Sequence, residues 1–193
     1  MTTLSEPVAV VKAVFEACID VHQRMRDLDL RPVADAAAAI LEASRGGGKV
    51  LLFGNGGSAA DAVHFAAELV GRFERDRPGM AALALTTDTC VLTSVGNDYG
   101  FDRVFARQIE ALGRPGDVAF AISTSGTSRN VIEGAREARG RGLRTVGLTG
   151  RNGGPLGDAV DIHINVPHDT TCRVQEVHMT LLHAICDIVE RRS

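Results

Sequence analysis

The chain has 193 residues, enough for one full hydrophobic core and short of the length that forces a second domain. Apolar residues make up 45%, charged residues 23%, and the net charge is −3 with both signs spread along the chain. That balance argues against nucleic acid or an anionic membrane as a general partner, and one Tyr with no Trp leaves few rings for stacking bases.

No apolar run approaches the roughly 20 residues needed to cross a bilayer. The opening MTTLSEPVAVVKAVFEACIDVHQ has no basic start and carries Glu6, Lys12, Glu16 and Asp20 through its apolar stretch, so no secretory leader is expected. Cys18, Cys90, Cys172 and Cys186 show no metal-ligand spacing. They read as reduced thiols, mostly small core residues, and the cytoplasm is the expected compartment.

In chain order, residues 7–28 place Val8, Val11, Val14, Phe15, Cys18, Ile19, Val21 and Met25 at helical rather than strand spacing. A second helix follows through Val33, Ala36, Ala39, Ile40 and Leu41 and stops at Gly46-Gly47-Gly48. These two leading helices (1–46) could cap a sheet or pack against another subunit. From Lys49 the pattern changes to apolar strands alternating with helices. Strands are expected at 49–54, 81–86, 117–123, 144–149 and 159–166. Helices are expected from Ser58 to about Phe73, about Asp102 to Leu112, about Ser128 to Arg139 and about Thr171 to Val189, with helical or irregular text before Asn97. The expectation is one α/β domain over 1–193: a doubly wound, flavodoxin-like, five-stranded parallel sheet in 47–193 behind two leading helices. Ligands of such sheets bind beyond the carboxyl ends of the strands.

Two of the strand-end loops suit an anion. Gly54-Asn55-Gly56-Gly57-Ser58 lets backbone approach a ligand closely at a helix N-terminus, where free N–H groups and the dipole favour negative charge. It is neither GxGxxG nor a Walker loop, which disfavours nucleotides; a tight turn needing glycines would look the same. In Ser123-Thr124-Ser125-Gly126-Thr127-Ser128, five of six residues carry hydroxyls at a helix start. A helix cap needs one such residue, so the surplus points to a phosphate monoester.

The two loops together resemble a sugar isomerase (SIS) domain. GNGGSAADAVHFAAELVGRF, SVGNDYGFDRVFARQIEALG, AISTSGTSRNV and VQEVHMTLLHAICDIVE narrow the resemblance to phosphoheptose isomerases over nearly the whole chain. The resemblance implies isomerisation of sedoheptulose 7-phosphate to glycero-manno-heptose 7-phosphate, the first step toward ADP-heptose for lipopolysaccharide or another glycan. It implies a homotetramer with sites near subunit boundaries. It assigns Asn55, Gly56, Gly57 and Ser58 to the substrate, Ser123, Thr124, Ser125 and Ser128 to its phosphate, and Asn97-Asp98, the family's Asn-Asp pair, to substrate binding as well. It also implies one zinc per subunit on His64, Glu68, Gln175 and His183, with Glu68 and Gln175 also meeting substrate.

An aldose–ketose isomerase needs two acid/base groups beside adjacent carbons. His64 and Glu68 stand at i and i+4 and share a helix face, and imidazole with carboxylate suits zinc. Gln175 and His183 are about 80° out of line at 3.6 residues per turn, whereas Glu176 and His183 align, so spacing alone would name Glu176. Glu68 and His183 are the expected acid/base pair. His22, His163, His168 and His178 read as ordinary packed or exposed histidines, and Arg72 as a surface charge. The rival classes are a non-catalytic SIS tetramer binding the replication initiator DnaA, and a sugar-phosphate-sensing regulator, which would need an added DNA-binding domain that two leading helices without a basic recognition helix are not expected to supply.

Overall fold

The computed structural model describes residues 5–193; residues 1–4, where the segment read as leader-free begins, lie outside the described residues. Helices α1 (Ser5–Arg26) and α2 (Arg31–Arg45) precede β1 (Val50–Gly54) and α3 (Gly57–Val70). Then come β2 (Ala82–Ala84), α4 (Thr89–Tyr99), a 3-10 turn (Phe101–Arg103) and α5 (Val104–Leu112). The rest is β3 (Val118–Ser123), α6 (Arg129–Gly140), β4 (Arg144–Gly150), α7 (Gly154–Ala159), β5 (Ile162–Val166) and α8 (Thr171–Arg192). The five strands form one parallel sheet in the order β2-β1-β3-β4-β5, as expected of a doubly wound fold.

Strand alternation divides the interior into two cores. Val50, Leu52, Phe120, Ile122 and Leu148 face one side and pack with α2, α3 and α8. Leu51, Phe53, Ala119 and Ala121 face the other and pack with α5, α6 and α7. Both faces of the central strands are therefore covered, which is why β1 and β3 read as unbroken apolar runs. The order reverses between β1 and β3, so the loops after these strands flank the switch-point crevice where open α/β sheets take ligands.

The expectations and the structure differ in places with physical causes. α7 was not foreseen, because six residues containing two glycines and a proline carry no helical period; Leu156 and Ala159 nonetheless bury it. That helix delays β5 to Ile162. Of the two alternatives left open before Asn97, helical or irregular, the structure takes the helix: α4 is capped by Asp88, whose carboxylate accepts from the Val91 N–H at 3.0 Å. α3 ends at Val70 rather than near Phe73 because Gly71 breaks it. Of the cysteines only Cys186 is buried, while Cys90 and Cys172 are exposed and Cys18 is half-buried, so the thiols are not mostly core. Of the two leading helices, α2 covers the sheet face it shares with α3 and α8, burying Val33, Ile40 and Leu41. α1 reaches α8 through the Arg173 guanidinium on the Val14 carbonyl, 2.7 Å, and leaves Val10, Phe15 and Ile19 more than half exposed.

Candidate active site

The first loop is built so that backbone, not side chains, surrounds the crevice. At Gly54 a Cβ would lie 2.8 Å from the Ile122 carbonyl and from Ser58, so only glycine passes there. Gly56 has φ +56°, a left-handed turn that lets α3 start at Gly57. The cap position is Gly56, and Ser58 is buried one residue inside the first turn.

In the second loop Ser128 holds the N-cap position of α6 yet makes no side-chain cap bond. Its hydroxyl accepts from Ser123 at 3.2 Å, and Ser125 stands 3.5 Å from Ser123 while accepting from the Thr127 N–H at 3.2 Å. The hydroxyls thus form a cluster at a helix start whose cap is idle, which leaves donors for an anion. Gly126 has φ +66°, and a Cβ there would collide with the Gly153 carbonyl. Leu156 N–H donates to the Gly126 carbonyl at 3.0 Å, so α7 braces the loop from behind.

The two loops are tied by a reciprocal amide pair. Asn55 donates to the Asn130 oxygen at 2.8 Å, Asn130 donates back at 2.9 Å, and the Asn130 oxygen also takes the Val131 N–H at 3.0 Å. Asn130 is buried and was not singled out in the sequence, although it lies two residues after the hydroxyl run. Asn55, assigned to the substrate by resemblance, spends one donor and one acceptor on this pair.

The acid/base candidates come together between α3 and α8. His64 Nε2 lies 3.0 Å from His183 Nε2 and 3.4 Å from Glu68 Oε1, and all three half-buried groups offer ligand atoms within 4.8 Å of one another. Two ligand atoms on a tetrahedral zinc with bonds of about 2.0–2.1 Å stand about 3.3 Å apart, so these separations suit a shared cation. Gln175 projects over Gly57, where a Cβ would collide with its amide; glycine is what admits Gln175 to the start of α3. Glu176, which aligned better by spacing, turns the other way and pairs with Arg173 at 2.7 Å. One residue along a helix is a rotation of about 100°, and the packing row on α8 runs in steps of four, 175–179–183, along an obliquely inclined ridge.

Asp61 shares a face of α3 with Gly57, His64 and Glu68. It is 7% exposed, its Oδ2 has no partner, and burial pushes its carboxyl up to about 6, with His64 pulling in the opposite direction. Asn97 and Asp98 sit at the exposed end of α4, the Asn97 amide donating to Asp98 at 2.8 Å, and no hydrogen bond among the described residues joins them to the loops. His178 is fully buried, with its Nε2–H on the Thr149 carbonyl at 2.9 Å, a packing histidine as expected. Arg72 is exposed.

The SIS domain model matches residues 15–150. The chain is therefore a SIS-domain protein, and relatives narrow this. It is 56% identical over 176 residues to the phosphoheptose isomerase of Roseiflexus sp. (strain RS-1), covering 91% of this chain and 89% of that one. The structure of the phosphoheptose isomerase from Neisseria gonorrhoeae superposes with a TM-score of 0.90 at 47% identity, covering 98% of this chain and 100% of that one. The corresponding structure from Francisella tularensis gives 0.92 at 36% identity, covering 96% and 99%. The chain belongs to the phosphoheptose isomerase family, and by that membership it is an isomerase.

Proposed function

We propose that this enzyme converts sedoheptulose 7-phosphate to D-glycero-D-manno-heptose 7-phosphate through an enediol. The observation that carries the reading is the convergence of His64, Glu68 and His183 beside two loops suited to a phosphate. Ser123, Thr124, Ser125 and Ser128 take the phosphate, while the backbone of Asn55, Gly56, Gly57 and Ser58 lines the crevice beside it. Gln175 orients the sugar hydroxyls at the start of α3. Asn97 and Asp98, being exposed on α4, act at a subunit boundary.

Glu68 and His183 share the proton work. One removes the proton on C1 of the ketose while the other protonates O2, giving the enediol. The first proton then returns to C2 as the O1 proton leaves, which completes the aldose. His64, Glu68, Gln175 and His183 would hold one zinc ion per subunit, which would supply a Lewis acid to polarise the substrate carbonyl.

The 193 residues act as a single domain. A homotetramer is supported by α1, whose Phe15 is 64% exposed and whose Val10 is 59% exposed in the single chain. No helix of the described residues is long and apolar enough to cross a membrane, in keeping with a cytoplasmic enzyme whose product feeds ADP-heptose synthesis for lipopolysaccharide or another glycan. The DnaA-binding alternative draws no support from the relatives named above.

The test is incubation of purified protein with sedoheptulose 7-phosphate, coupled to a heptose kinase, with and without added zinc. Product is expected from the wild type. Glu68→Gln and His183→Gln, if correctly folded, lose at least about a hundredfold in turnover. Absence of product under zinc-replete conditions would refute the reading.

A further inference from the structure

The loop after α3, residues 71–79, is anchored by a carboxylate from the last turn of α8. Glu190 accepts from three consecutive backbone N–H groups: Phe73 at 2.6 Å, Glu74 at 3.0 Å and Arg75 at 2.9 Å. Arg77 adds its charge 3.5 Å away, and both side chains are almost inaccessible, at 1% for Glu190 and 6% for Arg77. Burial alone would raise this carboxyl, but the three N–H groups and Arg77 outweigh it and hold the group below its ordinary value. A negative charge in the last turn of a helix opposes the helix dipole, so the sequence carries an unfavourable placement here that the loop compensates.

What the anchored loop touches explains the placement. Phe73 lays its ring against His183, centroids 5.2 Å apart at 35°, on α8 two turns before Glu190. His183 is thereby held between Phe73 and His64, whose centroid is also 5.2 Å away. The Arg77 guanidinium donates to the carbonyls of Glu68 at 2.7 Å and Leu69 at 2.9 Å, fixing the last turn of α3. One clamp therefore braces both helices that present the acid/base groups.

We propose that Glu190 is a positioning residue for the isomerase reaction: it fixes the 71–79 loop so that Phe73 keeps the His183 ring turned toward His64 and Glu68. The inference rests on His183 belonging to the working site. It makes no claim on the phosphate, which is bound by other elements.

Glu190→Gln keeps the shape but replaces one acceptor oxygen with an amide that faces backbone donors. Phe73→Leu keeps apolar volume and removes the ring face. Zinc affinity, by competition with a chromogenic chelator, is read beside kcat, KM and thermal unfolding for both and for the double variant. Each single variant is expected to weaken zinc binding about tenfold, the range of lost outer-sphere support, and to lower kcat by a similar factor with KM within about twofold. The double variant should be no worse than Glu190→Gln alone, because both changes lie on one route.

A lowered unfolding temperature with unchanged zinc affinity and kcat would mean a purely structural anchor and overturn the proposal. So would a Phe73→Leu variant with wild-type constants, which decides the matter alone if Glu190→Gln does not fold. Multiplying single effects in the double variant would likewise show independent routes. A wild type that binds zinc but makes no heptose phosphate would sink the proposed function, while the zinc constants still decide the clamp.

Discussion

His178 makes the stability of this fold depend on pH in a direction that can be worked out. Its Nε2–H donates to the Thr149 carbonyl, so the neutral ring keeps its lone pair on Nδ1, which is buried without a partner. Protonation would add a charge and a second N–H with no acceptor. Burial accordingly pushes the imidazole down to about 4 from 6.5, with the Thr149 bond opposing. Between these values the unfolded chain binds a proton that the native chain refuses. The contribution is thus complete above about 6.5 and is lost as pH falls toward 4. Proton balance at about pH 5 gives a loss of about 2 kcal/mol relative to about pH 7.5. His178→Gln keeps an amide donor for Thr149 and removes the titration. Urea unfolding of both proteins with chelator present, at these two pH values, isolates the term. Asp61, held up to about 6, gains stability for the native state as pH falls, but it does so in both proteins and cancels in the difference. Wild type should lose about 2 kcal/mol more than the variant on acidification. Equal losses would refute the assignment of His178 as a buried neutral group.

Three substitutions probe the loops. Gly126→Ala forces a side chain onto a left-handed residue and against the Gly153 carbonyl, where backbone lies on both sides. It should cost at least about 2 kcal/mol, seen as a lower unfolding temperature. Gly57→Ala meets only the far end of the Gln175 side chain, so stability should change by less than about 1 kcal/mol while the coupled assay shows a clear loss of turnover as Gln175 is displaced. Ser125→Ala removes one hydroxyl from the phosphate cluster and should raise KM about tenfold with kcat nearly constant, the effect of one hydrogen bond to a charged group.

The strands were legible because each is an apolar run bounded by glycine or polar text, and the parallel sheet follows from their alternation with helices. α7 was not legible, since what makes it a helix is Leu156 buried behind the 123–128 loop rather than any local period. The hydroxyl run announced itself by excess over what a cap requires. Asn130 did not, because its partner Asn55 is 75 residues away and the pairing exists only once β1 and β3 are neighbours. On α8 the sequence pattern favoured Glu176 over Gln175, and only packing reversed it: Arg173 claims Glu176 on the α1 side, and Gly57 leaves room for Gln175 on the other. Glu190 and Phe73 carried no signal at all, being joined through a loop closed by tertiary contact.

These contacts also set the length of substrate the crevice can serve. Gly57 meets Gln175 and His64 meets His183, so α3 and α8 run side by side in the same direction. Seven residues of helix separate Gly57 from His64, about 10 Å at 1.5 Å per residue. The hydroxyl cluster is tied to the beginning of that span through Asn55 and Asn130, and the imidazoles mark its end. On the proposed reading, a phosphate held at one end and carbonyl chemistry at the other require a sugar whose terminal carbons lie far apart. The glycine that admits Gln175 keeps a hydrogen-bonding side chain at the start of that path.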